Sequence, residues 1–217
     1  MTQTDVLRPV QPGERAPRFS LPAVHREGVV SLDDYLDRSP LLLAVFRGLY
    51  CPFCRRAIAE LGGIAERLKA AGVETLAVVA TNADHARLYF KHRPARVALA
   101  ADADCDTHRA YGVPSVPMTP QLLEAIQTTP VNPTGDLPRP MPLPEIGAEL
   151  DRREGYRASE TDRLDQERQA GQVTAQFLVD RTGVVRWVNV EGATEGVAGL
   201  GKFPTVDELL MAARSVV

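Results

Sequence analysis

The chain has 217 residues, is 44% hydrophobic and 24% charged, and carries a formal net charge of -3. A globular chain of this size buries a full core without disulfide or metal staples, and the slightly acidic balance gives no drive toward nucleic acid or an anionic membrane. No window approaches the roughly 20 apolar residues of a membrane span, and the polar N-terminus lacks the apolar core of a secretory signal, so a cytoplasmic protein is expected.

Pro12, Gly13, Pro17 and Pro22 punctuate an opening stretch over residues 12–36 that reads as a loop, a short hairpin and a single helical turn. Residues 41–46, Leu-Leu-Leu-Ala-Val-Phe, are apolar and uncharged, as a buried parallel strand is. A helix over 54–71, a strand over 73–80, a helix over 83–92, a strand over 97–100 and a helix over 104–111 then alternate. That alternation builds parallel sheet with right-handed crossovers. Gly72 suits the residue just past the first helix.

The alternation stops over residues 114–172, which read as an insertion. It opens on Pro130, Pro133, Pro138, Pro140, Pro142 and Pro144, which cannot pair in a central strand. Residues 145–169 are highly charged, with few apolar positions (Ile146, Leu150, Tyr156, Leu164), so they read as an exposed helix or a mobile flap. A substrate lid, an oligomer contact and plain disorder are the alternatives for such a segment. Two β-rich runs, 173–179 and 184–190, follow around the tight-turn sequence Asp180-Arg181-Thr182-Gly183 and predict an antiparallel hairpin. Residues 205–216 close the chain as a helix, and one α/β domain over 1–217 is expected.

Two of the three cysteines, Cys51 and Cys54, stand one helical turn apart where the strand ending at residue 46 meets the following helix. The spacing places Cys51 at the N-cap, Pro52 at the first helical position and Cys54 at the third. A sulfur there faces unpaired backbone N–H groups and the positive end of the helix dipole, both of which favour the thiolate. A free thiol of pKa about 8.5 falls to roughly 3.5–7.5 in such surroundings. Arg47, Arg55 and Arg56 are the nearby cations. The pair is also compatible with half a zinc site, but Cys105, His25, His85, His92 and His108 supply no ligand spacing, so neither a metal nor a cofactor is expected. In a reducing compartment such a pair points to reversible redox chemistry.

Tyr50, Pro52 and Phe53 flank the sulfurs and are the candidate substrate-binding residues; Tyr50 offers an aromatic wall and a phenolic hydroxyl, with plain packing as the alternative. Cys105 lies among Asp102, Asp104 and Asp106, which oppose thiolate formation, so it reads as a structural cysteine with a remote resolving role as the alternative. His85, His92 and His108 read as surface helix residues, and Trp187 as hairpin packing.

A Cys-x-x-Cys pair at a helix start after a buried strand, two further β/α units and a closing hairpin and helix resemble the thioredoxin fold, a central mixed β-sheet flanked by helices, here with an N-terminal hairpin extension. Residues 12–22 (Pro-Gly-Glu-Arg-Ala-Pro-Arg-Phe-Ser-Leu-Pro), 103–113 (ending Ala-Tyr-Gly-Val) and 177–186 (Phe-Leu-Val-Asp-Arg-Thr-Gly-Val-Val-Arg) narrow the resemblance to the peroxiredoxin superfamily of alkyl hydroperoxide reductases and thiol-specific antioxidant proteins (AhpC/TSA). The run Phe-Arg-Gly-x-x-Cys-Pro-Phe-Cys resembles a peroxiredoxin-like subgroup that keeps a thioredoxin-style dithiol. The chain departs from the peroxiredoxin signature Pro-x-x-x-Thr-x-x-Cys: laid on Cys54, it puts Arg47 at the proline and Cys51 at the threonine. The family's later active-site arginine falls on Thr174, and the thioredoxin cis-proline has no counterpart in Val173-Thr174-Ala175-Gln176.

The resemblance implies an antioxidant oxidoreductase that reduces hydrogen or organic hydroperoxides through a Cys51/Cys54 dithiol–disulfide cycle, with Arg47 in place of the missing cation. A thiol-disulfide oxidoreductase acting on protein or glutathione disulfides is the main alternative, and a redox-sensing interaction protein a further one. An external thiol reductant of thioredoxin or glutathione type, and a homodimer, are implied with it. The attacking sulfur stays open: an N-cap sulfur is the more exposed and favours Cys51, whereas the peroxiredoxin alignment favours Cys54.

Overall fold

The computed structural model describes residues 8–135 and 137–216; the first seven residues of the polar N-terminus lie outside them. A short antiparallel hairpin, β1 (Ser20–Pro22) and β2 (Val29–Ser31), leads into β3 (Leu41–Phe46). Then come α1 (Pro52–Ala70), β4 (Glu74–Val79), α2 (Ala83–His92), β5 (Ala98–Ala101) and α3 (Asp106–Ala110). Three helices follow, α4 (Pro120–Thr128), α5 (Leu143–Glu154) and α6 (Glu160–Arg168), before β6 (Ala175–Val179), β7 (Val185–Val190) and α7 (Val206–Arg214). The main sheet has the order β5-β4-β3-β6-β7, with β3, β4 and β5 parallel and β6 and β7 antiparallel.

β3 is the middle strand, and its continuous apolar sequence follows from that place. Leu43 sits opposite Leu76 of β4 on one side and Phe177 of β6 on the other. Leu42, Ala44 and Phe46 face a core layer shared with α1 and α7, while Leu41, Leu43 and Val45 face a second layer with Tyr111, Val113, Leu21 and Val30. Strand alternation therefore sends every β3 side chain into a core, and no position is left for a polar residue. Gly72, with φ +80°, ends α1 as expected.

The insertion is helical, one of the two readings of its charged half, but its helices are docked rather than exposed. Its two ends are pinned together, Val116 N–H donating to the Gly171 carbonyl at 2.8 Å. Gly171 has φ +79°, and a Cβ there would lie 1.9 Å from the Val116 oxygen, so only glycine closes this joint. α5 buries Leu143, Ile146 and Leu150 in the same core layer as α1, joined there by Val131 and Leu137 of the proline-rich run. In α6 the expected pattern is reversed: Leu164 is 53% exposed, whereas Asp162 and Asp165 are buried at 1% and 2%. Apolar periodicity cannot report a helix that docks through its acids.

Asp162 meets His85 of α2, Nε2 to Oδ1 at 3.1 Å. His85 is thus a half-buried docking residue rather than a surface one. Its hydrogen bond to Asp162 raises its pKa from the ordinary 6.5 against the opposing effect of burial. Burial acts to raise the Asp162 carboxyl, but hydrogen bonds from His85 and Ser159 outweigh it and bring its pKa down. Among the described residues no helix is long and apolar enough to cross a membrane.

Because folding raises the His85 pKa, its charged pair contributes stability that is fully present below the unfolded value of about 6.5 and is lost as pH rises through the folded value. Substitution His85→Gln should therefore cost most at about pH 5.5 and progressively less toward pH 9, read as the gap between urea-unfolding free energies of the two proteins. A gap constant with pH would show that the pair carries no charge on His85.

Candidate active site

At the end of β3 the chain leaves the sheet through Arg47-Gly48-Leu49-Tyr50 and enters α1. Cys51 is the N-cap and Pro52 occupies the first turn. The Cys54 amide donates to Cys51 Sγ at 3.2 Å, and the Cys51 amide donates to the Gly48 carbonyl at 3.1 Å. The two cysteines form a disulfide with Cα atoms 5.3 Å apart. A Cβ at Gly48 would press on the Ala80 carbonyl at 3.1 Å and on the Tyr50 ring at 3.0 Å, so the tight approach of this loop to β4 requires glycine.

Both cysteines are buried, Cys51 at 4% and Cys54 at 1%, so the expected difference in exposure is too small to choose between them. They belong to the core layer that α1 shares with β3, α7 and α5, and α5 lies against the start of α1. Its Gly147 approaches Pro52 so closely that a Cβ there would sit 3.5 Å from Pro52 Cγ.

Arg55 and Arg56, counted among the cations beside the sulfurs, are engaged elsewhere. The Arg55 side chain is buried, donates to the Leu49 carbonyl at 2.7 Å and to Glu154 at 2.8 Å, pairs with Asp151, and lies 3.6 Å over the Tyr156 ring. Arg56 pairs with Glu60 one turn along α1 at 2.9 Å. Arg47 stays at the base of the dithiol loop, donating to Glu191 at 2.9 Å and to the Gln172 carbonyl at 3.4 Å. Its Nε is buried with no hydrogen-bond partner among the described residues.

Glu191 is a buried acid that carried no signal beyond standing just after an apolar run. Its carboxylate also accepts from the Thr174 amide at 3.0 Å and the Gly201 amide at 2.6 Å. Gln169 was equally silent: its carbonyl oxygen accepts from the Gly48 amide at 2.8 Å, and its amide group donates to the Ala80 carbonyl. The dithiol loop is thereby held from the insertion directly at Gly48, and at Leu49 through Arg55 of α1, which is itself paired to α5.

Tyr50 is half-buried, and its phenol is pushed up to about 12 chiefly by burial, with Arg47 acting the other way. It is a protonated donor at neutral pH. Pro52 lies beneath α5, and Phe53 turns to the other side of α1 against Gly201 and into a cavity. Cys105 is buried at the start of α3 with φ +57°, its thiol pushed up to about 12 by burial and by Asp102. That environment fits the structural reading of this cysteine. His108, expected on the surface, is fully buried, and its pKa is pushed down to about 3 by burial and by Arg47 and Arg109. Thr174, where the family's arginine would fall, is buried beside Glu191, and there is no cis peptide among the described residues.

No protein of curated function matches the chain. Among solved structures it is similar to the reduced 2-Cys peroxiredoxin of Plasmodium vivax, with 16% identity, a TM-score of 0.60 and coverage of 94% of this chain and 95% of that one. It is also similar to the peroxidoxin BcpB of Mycobacterium tuberculosis, at 12% identity and TM-score 0.59 over 96% and 99% of the two chains. A putative thiol:disulfide interchange protein DsbE from Chlorobium tepidum aligns at 20% identity and TM-score 0.55 over 94% and 99%. At these identities the likeness is one of fold, and it identifies the central mixed sheet with its flanking helices as thioredoxin-like. The AhpC/TSA family matches residues 12–138, a stretch that holds the opening motif, the dithiol and the first three strands of the main sheet. With more than half its length so matched, the chain belongs to the AhpC/TSA family.

Proposed function

We propose that the protein is a peroxiredoxin-like, thiol-dependent peroxidase that reduces hydrogen and organic hydroperoxides through Cys51 and Cys54. The observation that carries the reading is a bonded pair of sulfurs at a helix N-terminus, one accepting a backbone N–H, both buried below α5. Burial favours small reactants over a protein disulfide, which must bring its own backbone to the sulfur.

In the reduced protein the Cys51 thiolate attacks one oxygen of the peroxide. The O–O bond breaks, the sulfur becomes a sulfenic acid, and the other oxygen takes up a proton and leaves as alcohol or water. Cys54 then attacks that sulfur, releasing water and closing the disulfide, which an external thiol reductant reopens. Cys51 is assigned the attack because its sulfur receives the Cys54 N–H, which stabilises negative charge there. Exposure no longer distinguishes the two. Arg47, held by Glu191, is assigned the charge that builds on the departing oxygen, and the Tyr50 phenol is a donor at the same loop. A reductant of glutathione type suits the buried disulfide better than one of thioredoxin type; a cytoplasmic setting and a homodimer belong to the same proposal.

The test is rapid mixing of fully reduced protein with equimolar hydrogen peroxide, followed by mass analysis. The wild type should lose two thiols per chain without intermolecular crosslinks, Cys54→Ser should trap a sulfenic acid at Cys51, and Cys51→Ser should react no faster than a free thiol. Cys105→Ser should leave the rate unchanged. Oxidation of the wild type no faster than a free thiol, with rapid exchange on glutathione disulfide, would move the assignment to thiol-disulfide exchange, the reading that the Cys-x-x-Cys spacing also serves.

Arg47→Met should slow oxidation by peroxide roughly 100-fold, as loss of a preorganised donor does elsewhere. Because Glu191 is then a buried acid without its partner, the companion Arg47→Met/Glu191→Gln should restore stability but not rate. A double variant that oxidises at the wild-type rate would remove Arg47 from the mechanism.

A further inference from the structure

A cavity of about 320 Å³ opens between α1, α7 and the sheet, and Phe53, the residue between Pro52 and Cys54, forms part of its wall. Phe46, Leu61, Phe203 and Leu209 are among its other apolar lining residues, with the Phe46 and Phe203 ring centroids 5.6 Å apart. Volumes near 300 Å³ lie at the small end of ligand pockets, enough for a compact ring system of on the order of ten to fifteen heavy atoms.

The uncharged polar residues of the lining are Thr134, whose Oγ1 is buried with no hydrogen-bond partner among the described residues, Thr205, which caps α7, and Gln176 of β6. Gln176 is 4% exposed, and its carbonyl oxygen accepts from Asn189 Nδ2 at 2.7 Å. Its Nε2 is buried and has no hydrogen-bond partner among the described residues. A buried amide donor left without an acceptor is destabilising, and buried polar groups are satisfied in the great majority of cases. Gln176 lines a cavity large enough to hold the missing partner. Among the described residues the charged side chains of the lining are Arg56 and Glu60, which pair with each other, so the site suits a neutral ligand rather than an ionic head group.

We propose that this cavity binds a small, neutral ring compound carrying one acceptor oxygen, with that oxygen accepting from Gln176 Nε2 and the ring packed among the phenylalanines beside Phe53. Gln176 is then a recognition residue that separates oxygenated ligands from hydrocarbons of the same shape. Hydrophobic burial supplies affinity and the single hydrogen bond supplies selectivity, the division of labour general to small-molecule pockets. Through Phe53 the bound ring would lie against the segment that carries both sulfurs. The site stands on its own lining and not on the peroxidase reading.

The experiment is a titration of the full-length oxidised protein, followed by NMR chemical shifts, with 2-acetonaphthone and with 2-ethylnaphthalene, which differ in the carbonyl oxygen. The wild type should bind the ketone about fivefold more tightly than the hydrocarbon, the advantage expected of one neutral hydrogen bond. Gln176→Leu should lose the ketone preference and bind the ketone less tightly than the hydrocarbon, because burying a carbonyl without a donor costs its desolvation; its retained binding of the hydrocarbon serves as the check that it has folded. Leu61→Trp, which fills the cavity, should bind neither. Equal affinities in the wild type, no saturable binding of either probe, or a ketone preference that survives Gln176→Leu would each overturn the proposal. The comparison within the wild type needs no variant, and no peroxide is present, so failure here is separable from failure of the peroxidase reading.

Discussion

Everything in the site depends on where the first turn of α1 sits. A helix leaves its first amides without intrahelical partners, and here one of them, from Cys54, is spent on the sulfur of the N-cap residue at 3.2 Å. For Cys51 to stand there, the chain must fold back within four residues of β3, which it does through the bond from the Cys51 amide to the Gly48 carbonyl. Pro52 costs no hydrogen bond at the first helical position and fixes φ where the helix needs it. Since β3 is paired on both sides and buried on both faces, the start of this turn cannot drift. The electrostatics of the sulfur are therefore inherited from the middle of the sheet.

The insertion completes that geometry rather than decorating it. The Gly48 amide and the Leu49 carbonyl are backbone groups of the dithiol loop, and their partners are a glutamine just after α6 and an arginine that is itself clamped to α5. A buried guanidinium is costly unless paired, and net stability from such pairs is small, whereas loss of one partner leaves a charge stranded in the core. The Arg55 cluster is better understood as fixing where α5 lies than as holding the protein together. It gives the chain one way to seat α5 over the disulfide, and the cost of any other seating is an unpaired cation.

The features most legible in the sequence were those governed by local rules. Strand 41–46 could be read because a strand buried on both faces has no polar positions, and the cap at Cys51 because Cys-Pro before an amphipathic run has few alternatives. The hairpin around Asp180–Gly183 followed from turn chemistry, whereas the register shift between Leu178 and Val179 had no signal in the sequence. The insertion resisted, since α6 presents acids to the core and its contacts are with His85 and Ser159, partners distant or local that no periodicity encodes. His108 failed for a related reason. A histidine on a short helix looks like a solvated residue, and only the packing of α3 on the sheet buries it. Gln169 takes its meaning from backbone groups 121 and 89 positions away, and Glu191 from backbone groups 10 and 17 positions away and the Arg47 side chain 144 positions away.

Glu191 also explains how the chain manages without an arginine at the start of β6. The amide of Thr174, the residue that stands at that position, is tied to the same carboxylate that holds Arg47, so a single buried acid joins the end of β3 to the beginning of β6. The cation in the proposed mechanism thus approaches the same corner of the sheet from a different strand. It arrives with a counter-charge at 2.9 Å, which offsets much of its field at longer range. What a paired arginine keeps is direction: its remaining N–H groups point where the carboxylate holds them, and a donor fixed in advance needs no reorganisation when charge appears. In this protein the resting stability of the thiolate is accordingly assigned to the helix amides, and the cation to the moment when the O–O bond breaks.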